Sequence, residues 1–203
     1  AIDNGLAWPG STFVSTDSHA NIMGAISSFG QGMGDQDIAA AWAKGSLWFK
    51  VPQSVKLVFK GKRPSNVSAK DITLNLLKIF GANKLLGLSV EFYGEAIDEL
   101  TLDERITIAS MATEMGAIIF LFPASKAIHE YCEKKVGKKL EVIKADDDAK
   151  YLDIKEIDIS SFEPMLARPG KPHDNSSVAN EKGKKIDSAF IGSCTNGRME
   201  DLR

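Results

Sequence analysis

Residues Val55-Lys-Leu-Val-Phe-Lys60 and Ser68-Ala-Lys-Asp-Ile-Thr-Leu-Asn-Leu-Leu-Lys-Ile-Phe-Gly81 decide the fold class. In the first stretch Val55, Leu57 and Phe59 alternate with Lys56, Val58 and Lys60, the period of a strand with one buried face. In the second, Ser68 and Asp71 have the spacing of a capping box, Ile72, Leu76 and Phe80 form an apolar stripe, and Gly81 supplies the stop. A strand followed by a helix is one βα unit, and the pattern repeats. Leu88 to Tyr93 reads as a strand, and Thr101 with Glu104 opens a helix ending near Gly116. Ala117 to Phe122 is apolar throughout, as in a strand buried on both faces, and a helix from about Ser125 to Val136 ends at Gly137. These units predict an α/β fold with a mainly parallel sheet.

Working outward, Thr12 to Thr16 is a short β-rich run entering Asp17-Ser18-His19, small polar residues suited to a strand-to-helix turn. Ile22, Met23, Ile26 and Phe29 recur at helical spacing. Gly30, Gly32 and Gly34 then break that helix, and Asp35 caps another to about Lys44. The glycine loop lacks the spacing of a phosphate cradle, and Asp35 and Asp37 would repel phosphate, so it reads as a tight turn. Past Asp146-Asp147-Asp148, Tyr151 to Ile159 reads as a strand with a bulge near Lys155 and Glu156, because its apolar face switches there. Phe162 to Lys185 reads as a long connection, and Ile186 to Ile191 as a last buried strand leading into Gly192-Ser193-Cys194-Thr195-Asn196-Gly197-Arg198.

The chain has 203 residues with 27 acidic and 25 basic side chains, a net charge of −2. Folding at this length can bury roughly 70% of the unfolded surface, so the chain can build a core. No positive excess exists to hold a nucleic-acid backbone, and no apolar run reaches the ~20 residues that cross a bilayer. Neither nucleic acid nor membrane is an expected partner. The two cysteines, Cys132 and Cys194, form no CxxC pair and no disulfide framework, which suits a reducing cytoplasm. Neither end carries the marks of a natural terminus, and the chain reads as an internal piece of a longer polypeptide.

Three polar clusters follow predicted strands, where open α/β sheets bind ligands. Asp17, Ser18 and His19 could together bind a hydroxyl and a carboxylate group, or could simply cap a helix. Glu91, inside the apolar run Ser89-Val-Glu-Phe-Tyr93, needs a partner, a raised pKa or an outward-facing position. Cys194 sits among turn-forming residues at a predicted helix start, which favours a thiolate, although a buried inert thiol has the same residue pattern. Cys132, beside Tyr131 and Glu133, reads as packing.

Taken together, four segments resemble the aconitase superfamily. They are Asp17-Ser18-His19 with the glycine loop to Gly34, Leu47-Trp-Phe-Lys-Val-Pro52, Val90-Glu-Phe-Tyr-Gly-Glu-Ala-Ile97 and Ile191-Gly-Ser-Cys-Thr-Asn-Gly-Arg198. The similarity is greatest to the large subunits of its isopropylmalate and homoaconitate branch. The resemblance implies a three-layer α/β/α architecture, incomplete in this chain. Residues 1–52 would end a first domain, 53–150 form a second, 151–185 provide a strand and long connection, and 186–203 begin a third, cluster-bearing domain.

The implied activity is a [4Fe-4S] hydro-lyase that isomerises a hydroxy acid by removing and re-adding water, with 3-isopropylmalate in leucine biosynthesis as the leading substrate. Homoaconitate, aconitate and 2,3-dimethylmalate chemistry, and a cluster-free RNA-binding relative, are the alternatives. Carried over by motif, Cys194 would be a cluster ligand, Thr195 and Asn196 would shape its loop, Asp17, Ser18 and His19 would line the substrate site, and Glu91 would hydrogen-bond the hydroxyl at the open iron. The family's other two cluster cysteines are absent, as is the base from a swivelling small-subunit partner, and Ala20 replaces the usual threonine. The resemblance therefore implies that this piece alone is inactive and, with apolar edges uncovered, poorly stable or self-associating.

Overall fold

The computed structural model describes residues 1–193 and 195–199. Four parallel strands form the main sheet, in the order β5-β4-β3-β6. They are β3 (Ser54–Lys60), β4 (Ser89–Tyr93), β5 (Ile119–Leu121) and β6 (Asp153–Asp158). Val55, Leu57 and Phe59 are buried while Lys56 and Val58 are half-buried, as the alternation predicts. The aromatic rings continue the core across strands: Phe92 stacks on Phe59 at 5.7 Å and on Phe122 at 4.6 Å between centroids. The expected α/β class with mainly parallel strands is the one found.

Helix α1 (Asp35–Lys44) follows the first two strands, α2 (Ala69–Phe80) connects β3 to β4, and α3 (Glu95–Asp98) and α4 (Leu102–Ser110) lie between β4 and β5. Helix α5 (Lys126–Val136) follows β5 and ends at Gly137. Both capping boxes are formed: Ser68 accepts from the Asp71 amide, Thr101 accepts from the Glu104 amide, and each acidic side chain returns to its cap. These interactions are local, which is why spacing alone revealed them. The helix opened by Thr101 is shorter than expected, because α4 stops at Ser110 and a 3-10 turn, Thr113–Met115, completes the path to Gly116.

A second, two-stranded parallel sheet pairs β1 (Thr12–Ser15) with β2 (Phe29–Gly32), joined by a 3-10 helix, Ala20–Ile26. The glycine stretch expected to be a tight turn is thus mostly strand, and Gly34, not Asp35, is the N-cap of α1. The reason is clearance. A Cβ on Gly32 would stand 2.6 Å from the Asp17 carbonyl oxygen, and one on Gly30 would stand 1.9 Å from that of Ala20. Glycine there lets the turn after β1 lie directly on β2. Met23, Ala25 and Ile26 join the same core as Phe92 and Phe120.

Three other expectations fail beyond residue 150. The register of β6 on β3 runs unbroken from Asp153 to Asp158, with no bulge, and the apolar switch arises because Ile159 already belongs to the next 3-10 turn. The long connection contains an antiparallel hairpin, β7 (Met165–Ala167) with β8 (Asn175–Ser177). Ile186 to Ile191 forms no strand, and Ile186 and Phe190 are 75% and 89% exposed, because no strand among the described residues pairs with the run.

Asp71 links two of these features. One carboxylate oxygen accepts from the Ser68 amide and hydroxyl at 2.8 and 2.7 Å, and the other accepts from the Met165 amide at 2.8 Å. Asp71→Ala should cost about 2 kcal/mol in a denaturant melt, the sum of the lost carboxylate arm of the capping box and the Met165 amide left unpaired, whereas an unchanged midpoint would show that neither contact matters.

Candidate functional site

Asp17, Ser18 and His19 follow β1 on a turn seated against β2 by Gly32. Asp17 Oδ1 accepts from the His19 amide at 2.8 Å and so fixes the turn. The imidazole lies between two groups: Nδ1 is 3.2 Å from Ser18 Oγ, and Nε2 is 3.4 Å from Glu114 Oε1. With the proton on Nε2, the ring donates to Glu114 and accepts from Ser18, a tautomer assigned from its neighbours. The turn is also held by Thr113, whose hydroxyl accepts from the Asn21 side-chain amide at 2.9 Å and donates to the Ser18 carbonyl at 3.3 Å.

Glu114 is the residue that sequence reading missed. It follows α4 in the 3-10 turn, and its Oε2 is buried with no hydrogen-bond partner. A buried acceptor left unsatisfied is costly unless a donor arrives from elsewhere, and a bound hydroxyl or water would be such a donor. The signal was faint: one carboxylate near the end of an otherwise uncharged run from Ile106 to Met115.

Glu91 sits within β4, not beyond its end, and has the partner its burial demands. Tyr93 and Tyr151 donate to its Oε2 at 2.7 and 2.8 Å, and Lys56 Nζ lies 4.4 and 5.3 Å from the centroids of the same two rings. Burial first, then hydrogen bonding to Tyr151 and Glu91, pushes the Tyr93 phenol above its usual range, so it remains a donor. Burial also raises Tyr151. Glu91 lines a cavity of about 240 Å³ with Ser11, Thr12 and Phe29. That is the start of β1, whereas Asp17 lies past its end, roughly 16 Å along an extended chain. The structure brings Asp17, Ser18 and His19 together with Glu114 and leaves Glu91 in a separate cluster.

Cys194 lies outside the described residues, but its neighbours dock on α4. Thr107 Oγ1 donates to the Thr195 carbonyl at 3.1 Å and is 3.5 Å from the Asn196 side-chain amide, while Asp103 pairs with Arg198 Nε at 3.0 Å. One helix and its 3-10 extension thus carry both sets of candidate residues. Among the described residues no group of three or more His, Cys, Asp or Glu side chains could hold a metal ion. Cys132 is a free thiol buried on α5, and burial pushes it up to about 11. No helix among the described residues is long and apolar enough to cross a membrane.

The fold agrees with what comparison finds. The sequence profile of the Aconitase family (aconitate hydratase) matches residues 1–184, and the chain belongs to that family. Among curated relatives, the 3-isopropylmalate dehydratase large subunit of Acetivibrio thermocellus is 41% identical over 201 residues, 99% of this chain and 48% of its own length. Those of Clostridium kluyveri and Pyrococcus abyssi are 43% and 38% identical, with 99% and 98% of this chain and 48% of each relative covered. The chain spans about half the length of the curated relatives it matches.

Because burial raises its thiol, Cys132 should alkylate slowly at pH 8 in the native protein and accelerate as pH climbs towards 11, as read by peptide mass spectrometry. A fast rate, flat with pH, would contradict its burial.

Proposed function

We propose that the polypeptide containing this chain is the large subunit of a hydro-lyase that interconverts 3-isopropylmalate and 2-isopropylmalate by dehydration and rehydration, working with a small-subunit partner in leucine biosynthesis. Family membership and the relatives' names support the reaction class. The observation that carries the site is the pairing of His19 with Glu114, whose second oxygen is buried and unpaired. A free thiol at Cys132 suits a reducing compartment such as the cytoplasm.

In this reading Asp17, Ser18 and His19 line the substrate site, with Ser18 and His19 presenting donors and acceptors to a hydroxyl and a carboxylate. Glu114 orients the imidazole through Oε1 and accepts through Oε2 from the hydroxyl that leaves or the water that returns. Cys194 is one thiolate ligand of a [4Fe-4S] cluster whose remaining ligands come from outside this chain, and Thr195 and Asn196 hold its loop. When bound, the cluster supplies a Lewis acid that makes hydroxide a better leaving group. Exposed Ile186, Phe190 and Ile191 fit a segment that opens a further, cluster-bearing domain.

The test is anaerobic co-expression of the whole large subunit with its small subunit, followed by assay on 3-isopropylmalate. Turnover is expected, and Glu114→Gln should lower kcat by roughly a hundredfold, the scale of one preorganised hydrogen-bonding group at the reacting oxygen. Absence of iron from an active wild-type enzyme, or a Glu114→Gln variant at full rate, would overturn the assignment.

A further inference from the structure

Thr107 lies in the middle of α4 and is fully buried. A buried threonine hydroxyl in a helix commonly bonds back to its own preceding turn. Here it reaches 88 residues along the chain instead, donating to the Thr195 carbonyl, while the Asn196 side-chain amide donates to the Thr107 hydroxyl oxygen. Asp103, four residues earlier and so on the same face, pairs with Arg198. One anchor holds the backbone at Thr195 and the other the side chain of Arg198, both on the C-terminal side of Cys194. Beyond the end of α4 at Ser110, the 3-10 turn Thr113–Met115 carries Thr113 and Glu114, which seat the Asp17–His19 turn.

We propose that Thr107, supported by Asp103, is a positioning residue for the segment Thr195–Arg198 that follows Cys194 in the chain: it holds that segment on α4. The inference deepens the proposed function and rests on it where it gives Cys194 a ligand role, while the anchoring itself stands on the contacts of α4. A valine would fill the same volume without either hydrogen bond, and a serine would keep both.

The experiment uses the full-length protein, freed of metal, and measures alkylation of Cys194 and Cys132 by iodoacetamide with peptide mass spectrometry. Thr107→Val should speed alkylation of Cys194 about fivefold, the equilibrium equivalent of one hydrogen bond, with Cys132 unchanged and Thr107→Ser restoring the original rate. Asp103→Asn, at the more accessible end of α4, should act in the same direction and decides the matter if the valine variant does not fold. A Cys194 rate unaltered in both variants, an equal rise at Cys132, or no rescue by serine would overturn the proposal. Iron analysis of the wild-type enzyme separates the two ideas: a protein that never takes up iron defeats the hydro-lyase reading and leaves the alkylation difference intact.

Discussion

A single buried guanidinium fixes the helix on which both site loops rest. Arg105, on α4, is fully buried and donates to the carbonyls of Pro123 at 2.7 Å, Ile97 at 3.1 Å and Leu100 at 3.3 Å. Taking a charge out of water costs several kcal/mol, and burial accordingly lowers the Arg105 pKa. The planar fork offsets that cost by tying α4 to the end of α3 and to the chain just past β5, a set of directions that one ammonium could not match. Phe122 packs nearby, with its ring centroid 5.7 Å from the guanidinium carbon. Rotation of α4 about its own axis is therefore set from the inside, and with it the face that carries Asp103 and Thr107 and leads on to Glu114.

The consequence is a division of labour between two polar clusters. Around α4, Glu114 keeps an oxygen unpaired, which suits a group awaiting a ligand. Around Glu91, the Tyr93 and Tyr151 phenols both donate to Oε2, and Tyr151 ties the chain entering β6 to the middle of the sheet.

Much of the sheet and several helices were legible because their signals are local. Alternation marked β3, and the pairs Ser68–Asp71 and Thr101–Glu104 marked helix starts that the structure forms. Two of the misreadings were tertiary in origin. Gly30 and Gly32 look like turn residues until the chain at Asp17 and Ala20 is seen lying on them. Ile186 to Ile191 has the composition of a core strand but no described neighbour to pair with. At the site, Asp17, Ser18 and His19 could be read from their position after a strand. Glu114 could not, because its meaning depends on a contact 95 residues away.

Hydrogen exchange along α4 tests most directly whether this helix is the rigid support on which the site is built. In the native protein the amides of Ile106 to Ser110 should exchange only through global unfolding, as slowly as those of the central strand β4. Exchange of those amides by local opening, at rates approaching those of the exposed residues 186–191, would contradict the account.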